Sequence, residues 1–250
     1  MVDRLDYKVM GFAILVLLCW MGYSPLAGRG AVVWSDDFND GDYDGWTICE
    51  NSVFDDGSEW SATNNYLQLD QEDGGIISHP SNIAYGTWSF DVKGIEANVS
   101  DLTFASIAFI SSNLDGDDWY DWTCYWIEFQ ATSTPQGYGF TLSLRKSFDG
   151  AHTAVVSYTP LVPATGWHHI DVTRTTAGKF SVKLNDSLVM EREDTDIDTS
   201  ELFVFYTREW LMFDNVVVDD AQPIDWVPII VIGVSAIAII AVVVIYLKRR

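Results

Sequence analysis

The stretch Cys124-Tyr125-Trp126-Ile127-Glu128-Phe129-Gln130 alternates large apolar residues with residues that can bind. Successive side chains of a strand point to opposite faces. Tyr125, Ile127 and Phe129 are therefore expected in a core, and Trp126, Glu128 and Gln130 together on the other face. Thr141, Ser143 and Arg145, interleaved with Phe140, Leu142 and Leu144, belong on the same type of surface. An aromatic plate edged by amide, hydroxyl and charged groups suits a sugar ring, which offers an apolar face and a rim of hydroxyls. Trp119, Tyr120 and Trp122 stand in the hydrophilic stretch just before this strand. They read either as an extension of that platform or as a cover folded back over a sheet edge.

The same residues argue against hydrolysis. Cleaving a glycosidic bond takes two carboxylates, about 5–5.5 Å apart for retention and wider for inversion. Glu128 is the only carboxylate on this strand. His168 and His169 are adjacent on a strand and read as parts of a structural motif rather than of a Ser-His-Asp arrangement. The expected role is non-catalytic.

Other reactive groups are few. Between the terminal segments the cysteines are Cys49 and Cys124, and an exported chain permits one disulfide between them. Asn98-Val99-Ser100 and Asn185-Asp186-Ser187 are glycosylation sequons.

Charge narrows the partners. The chain holds 36 Asp and Glu against 14 Lys and Arg, a formal net charge of −22. Six of those cations lie in the terminal segments, so residues 31–222 are more acidic still. Such a surface repels nucleic acid and anionic headgroups and suits divalent cations, neutral sugars or a high-salt medium; the partners expected are carbohydrate or neighbouring surface proteins. A hydrophobic fraction of 48% with 14% aromatic residues is that of a folded domain.

Both ends read as membrane-directed. Arg4 and Lys8 precede an apolar run from about Val9 to Met21, then Gly22-Tyr23-Ser24-Pro25, which describes a secretory signal or an uncleaved signal-anchor. Val227 to Leu247 carries no charge, and 21 residues rising about 1.5 Å each span roughly 31 Å, the thickness of a bilayer core. Lys248, Arg249 and Arg250 follow, as on the cytoplasmic side. The expected organisation is a signal segment (1–30), an ectodomain (31–220), a short stalk (221–226), a transmembrane helix (227–247) and a basic cytoplasmic tail (248–250). The location is then the cell membrane, single-pass, with the N-terminal domain extracellular.

Apolar residues recur with period two through the ectodomain, as in Trp88, Phe90, Val92 and in Phe180, Val182, Leu184. Turn clusters such as Asp73-Gly74-Gly75 and Asp149-Gly150 separate the runs. A dozen or so short strands at this spacing predict an all-β sandwich of two antiparallel sheets.

Four segments resemble the concanavalin A-like jelly rolls, which include laminin-G-like domains, family 16 glycoside hydrolases and keto-disaccharide hydrolase-like domains. They are Val33-Trp34-Ser35-Asp36-Asp37-Phe38-Asn39-Asp40-Gly41 with Trp46, Gly166-Trp167-His168-His169-Ile170-Asp171-Val172, the hairpin Phe180–Val189 with its Asn-centred turn, and the closing strand Phe213-Asp214-Asn215-Val216-Val217-Val218. The resemblance covers roughly 34–218 and implies a jelly-roll sandwich. It implies no activity, since this fold serves enzymes and binders alike. Family 16 hydrolases carry an E-x-D-x-x-E run where this chain has only Glu128. The resemblance also implies a structural calcium ion held by Asp37 and Asp214, with Asp36 or Asp40 as alternatives to Asp37; carboxylates with carbonyls make a fitting oxygen shell. An ion pair of Asp214 with Arg208 or Lys183, or a turn-capping role for it, is the alternative to an ion. The function expected is a lectin-like or adhesive surface module. A structural envelope protein without sugar binding, and a glycoside hydrolase-like enzyme, are the alternatives.

Overall fold

A computed structural model describes residues 31–49, 59–69, 74–94, 104–112, 122–134, 137–163, 165–207 and 211–220, all within one compact unit, Gly30–Pro223. Segments 1–30 and 221–250 lie outside the described residues, as do Trp119, Tyr120, Asn98 and Arg208. Among the described residues no helix is long and apolar enough to cross a membrane.

The strands are β1 (Val32–Asp36), β2 (Thr47–Ile48), β3 (Trp60–Ser61), β4 (Leu67–Leu69), β5 (Gly75–Pro80), β6 (Gly86–Gly94), β7 (Phe104–Ser112), β8 (Thr123–Thr134), β9 (Gly137–Phe148), β10 (Ala151–Pro163), β11 (His168–Arg174), β12 (Lys179–Leu184), β13 (Ser187–Glu193), β14 (Leu202–Thr207) and β15 (Leu211–Asp219). They form two antiparallel sheets. Sheet A runs β13-β12-β11-β6-β15-β4-β3, with β1 also pairing β15; sheet B runs β10-β9-β8-β7-β14-β5-β2.

Period two sets the interior. Trp88, Phe90 and Val92 of β6, Ile170 and Val172 of β11, and Phe180 and Val182 of β12 are fully buried from sheet A. Tyr125, Ile127, Leu142 and Leu144 meet them from sheet B. Burying a side chain of this size stabilises by roughly 1.5–3 kcal/mol, so each strand is held with its apolar face inward. An aromatic stack joins the sheets: Phe205 of β14 lies 3.9 Å from Phe213 of β15 and 5.1 Å from Trp46, with planes 11° and 13° apart. Asp36 explains the opening motif. Its Oδ1 accepts from Phe38 N at 2.9 Å and its Oδ2 from Trp46 Nε1 at 2.7 Å, which turns the chain and seats both rings.

Turn chemistry matches as well. Asn185 and Asp186 both have positive φ, 48° and 65°, closing the β12–β13 hairpin in two residues, and Asp149-Gly150 does the same between β9 and β10.

Two bulges depart from simple alternation. In β7 the register shifts between Ala108 and Ile110, so consecutive Phe109 and Ile110 both enter the core. In β15 it shifts between Asp214 and Val217, with Asn215 at φ 50°. That extra residue puts Phe213 and Val216 both inside. Strict alternation groups Asp214 with Val216 and Val218; the bulge leaves it on the outer face instead.

Candidate functional site

Strand β8 carries its expected faces. Tyr125, Ile127 and Phe129 enter the core, while Cys124, Trp126, Glu128 and Gln130 point to the outer side of sheet B. That outer side has two halves of different character.

At one half Trp126 is not an open plate. It is 3% exposed and packs with Trp122, Cys124, Ala108, Ile76, Val204 and Tyr206 in a second apolar cluster. Strands β5, β7, β8 and β14 each present an apolar outer residue at this level, and together they exclude water. Trp122 likewise belongs to this cluster at 6% exposure and so is no open plate either, while Trp119 and Tyr120 lie outside the described residues. Ser106 and Ser147 line the narrow cavity there. Their hydroxyls and the Trp122 indole N–H have no hydrogen-bond partner among the described residues.

The expected disulfide is absent. Cys124 is a free buried thiol, pushed up to about 12 by burial. Cys49 follows β2, four strands from β8, a separation of about 19 Å at the usual strand spacing, whereas a bridge needs Cα atoms within about 7 Å. Both cysteines instead contribute to the second apolar cluster.

The other half is polar. Arg145 Nη1 donates to Glu128 Oε1 at 3.0 Å, and its guanidinium lies 5.8 Å from the Trp126 ring centroid. Gln130 pairs with Thr141 and is exposed; Glu128 pairs with Ser143, whose Oγ donates to Ser157 Oγ at 3.0 Å. Glu128, Gln130, Arg145, Thr141 and Ser143 are thus brought together as one hydrogen-bonding strip. The Glu128 carboxylate is already held by a cation.

Asp37 follows the end of β1, and Asp214 lies on the outer side of sheet A in β15. Asp214 faces Asp91 across the β15–β6 ladder. Partial burial raises its carboxyl above the usual range; the N–H of Asn215 opposes this, and the charges of Asp91, Asp37 and Asp36 add to it. Asp37 is fully exposed and is lowered by hydrogen bonds from Asn39. Among the described residues no three His, Cys, Asp or Glu converge as a metal shell.

No family model and no curated protein matches the chain. Solved structures do. A carbohydrate-binding module, CBM66, of Bacillus subtilis aligns at 17% identity with a TM-score of 0.53, covering 70% of this chain and 95% of that one. A β-glucanase of Bacillus licheniformis aligns at 10% identity and 0.53, covering 75% and 98%. The carbohydrate recognition domain of Emp46p, in a potassium-bound form, aligns at 10% and 0.52, covering 71% and 89%. The fold is a concanavalin A-like jelly roll.

Within this jelly roll, one polar network escapes a strand-by-strand reading because it forms only across strands. His169 Nδ1 lies 2.6 Å from Asp91 Oδ1, and its Nε2 lies 3.3 Å from Asp171 Oδ1. Ser89 Oγ donates to Asp171 Oδ1 at 2.6 Å, and Asn215 Nδ2 donates to Asp91 Oδ2 at 2.8 Å. Burial lowers the His169 pKa, but the hydrogen bond to Asp91 and the charges of Asp171 and Asp91 outweigh it and raise it. His168 points inward, edge-on to Phe140, with Nε2 2.7 Å from Pro163 O.

Asn185 has a structural task in the jelly roll. Its Oδ1 accepts from His169 N at 2.9 Å and its Nδ2 lies 3.3 Å from His168 Nδ1, so the amide nitrogen of this sequon is engaged.

Proposed function

We propose that this chain is a non-catalytic carbohydrate-binding module displayed outside the cell and anchored by residues 227–247. The observation that carries the reading is the polar strip on sheet B. The Arg145–Glu128 pair, with Gln130, Thr141 and Ser143 beside it, presents fixed donors and acceptors along two adjacent strands. Such a row suits the hydroxyl rim of a sugar. Similarity to a carbohydrate-binding module and a carbohydrate recognition domain supports the ligand class. Against catalysis stands the pairing of Glu128 with Arg145. Arg145 engages the only carboxylate on β8, whereas glycosidic cleavage needs a second carboxylate across the scissile bond.

A glycan array on the purified protein tests this. Binding that Arg145→Ala and Gln130→Ala both weaken supports the strip, and release of reducing ends by the wild type would make the chain a hydrolase. A second reading has its own observation: Trp122 and Trp126 fill half of the face. In that reading the module is a structural envelope protein, which an array with no bound glycan favours.

The anchoring rests on the uncharged run 227–247 before Lys248-Arg249-Arg250 and on the apolar segment near the N-terminus. Protease added to intact cells is expected to remove residues 31–220; protection there reverses the orientation.

A structural calcium ion belongs to the same proposal, with Asp37 and Asp214 as its carboxylates. Both offer hard oxygens. Asp214 is partly desolvated among Asp91, Asp37 and Asp36, a crowding of like charges that a divalent cation would relieve.

A further inference from the structure

The outer face of sheet A carries an aromatic pair, an exposed Trp167 and a half-buried Tyr66, that the strip on sheet B does not use. His168 of β11, Val92 of β6, Phe213 of β15 and Leu67 of β4 form one inward row across the sheet. Each neighbouring row therefore points outward. On one side stand His169, Asp91 and Asp214, with Tyr66 one residue before β4. On the other stand Lys93, Met212 and Gln68, with Trp167 one residue before β11.

Trp167 and Tyr66 leave strands that are separated by β6 and β15. Their ring centroids are nevertheless only 5.8 Å apart, with planes at 62°. The two side chains lean toward each other over the sheet and make an aromatic corner. Trp167 stays 40% exposed, a large apolar surface left in water. Its position is fixed from both sides. Gly166 turns the chain at φ +92°, and on the strand side His168 and His169 are held by Pro163 and Asn185. Two residues from Trp167 on the same face, the chain Asn215–Asp91–His169–Asp171–Ser89 orients its carboxylates and imidazole before any ligand arrives.

An indole corner for the apolar face of a pyranose, next to preset acceptors for its hydroxyls, is the chemistry of sugar recognition. Asp91, Asp171 and Asp214 face this region, with Asp36 and Asp37 acting on Asp214, against Lys93, Lys183 and the imidazole of His169, so the acidic groups outnumber the basic ones and sulfated sugars and uronates are disfavoured.

We propose that Trp167 and Tyr66, with the Asn215–Asp91–His169 chain beside them, form a second carbohydrate-binding platform, on sheet A, selective for uncharged oligosaccharides. It rests on the carbohydrate reading of the chain and is independent of the strip on sheet B.

The test uses the purified full-length chain on matched arrays of neutral and sulfated or uronate oligosaccharides, with intrinsic tryptophan fluorescence as a second signal. Trp167→Ala and Tyr66→Ala are each expected to weaken neutral-glycan binding about tenfold while the melting temperature holds, and Trp167→Phe is expected to recover part of the loss. The fluorescence change on binding is expected to vanish in Trp167→Ala. Binding untouched by either alanine variant but lost in Arg145→Ala overturns the second platform and leaves the sheet B strip standing. Preference for anionic glycans overturns the stated selectivity. Capture of polylysine with no glycan bound overturns both readings, and so does an array on which nothing binds.

Discussion

Arg145 on β9 donates to Glu128 on β8 at 3.0 Å, directly over the boundary between the polar and the filled halves of sheet B. The guanidinium also faces the Trp126 ring, so one side chain ties the solvated strip to the buried cluster. The two sides of that boundary should respond differently to substitution.

Trp126→Ala is expected to lower stability by about 3–5 kcal/mol, the cost of removing a large aromatic from a packed site. Glu128→Gln breaks only a partly exposed ion pair and should cost less than about 1 kcal/mol. Urea unfolding of the two variants checks the contrast. A Trp126→Ala protein as stable as the wild type would mean that this indole lies in an open groove.

Arg174 is fully buried, with its guanidinium carbon 4.8–4.9 Å from the rings of Tyr85, Tyr125 and Phe180. It donates to Ala84 O at 3.2 Å and to Asp194 O at 3.1 Å, closing one end of the core. Arg174→Ala leaves those carbonyls unpaired and a void among three rings, and should cost about 3–5 kcal/mol. Arg174→Met, which refills the volume, should cost markedly less. Equal losses in thermal melts would show that the charge, not the packing, dominates.

His169 makes stability depend on pH. Its folded-state pKa is raised above the ordinary 6.5 because Asp91 and Asp171 flank it, against the opposing effect of burial. Asp214 in β15 adds a further negative charge in the same row, and Lys183 opposite Asp171 in β12 opposes it. A raised pKa means that the folded state binds the proton more tightly. The stabilisation is therefore complete below pH 6.5 and is lost as pH rises through the folded value. Melting temperature should fall over that window in the wild type and fall less in His169→Gln. Parallel pH profiles for the two proteins would remove His169 from the account.

Calcium should raise the melting temperature by mass action and chelator should lower it. Asp214→Asn should abolish the calcium response. In chelator, it should also stabilise the protein slightly, because it removes a partly desolvated carboxylate that Asp91, Asp37 and Asp36 crowd. Identical melts with calcium and with chelator mean that no such ion is bound.

Much of the fold was legible from alternation alone. Trp88-Ser89-Phe90-Asp91-Val92 and Phe140–Arg145 declare which residues face inward, because a strand's side-chain period is fixed at two and burial rewards only one phase. Asn185-Asp186 and Asp149-Gly150 declared their turns through residues that tolerate positive φ. Strand β5 is not declared by alternation, because Gly75, Ile76, Ile77 and Ser78 are buried in succession; its place between β14 and β2 comes from pairing.

Alternation also assigned Trp126, Glu128 and Gln130 to one face. It could not say that Trp126 is covered there while Gln130 is open, since that depends on Ile76, Ala108, Val204 and Tyr206 arriving from three other strands. The separation of Cys49 from Cys124 was likewise a matter of sheet order. The bulge at Asn215 turned Asp214 outward, and the meeting of Trp167 with Tyr66 and of His169 with Asp91 required strands distant in the chain to become neighbours. Face and turn are set by local geometry and so are written residue by residue. Burial, pairing and site assembly are contacts between distant segments, and only the folded sandwich decides them.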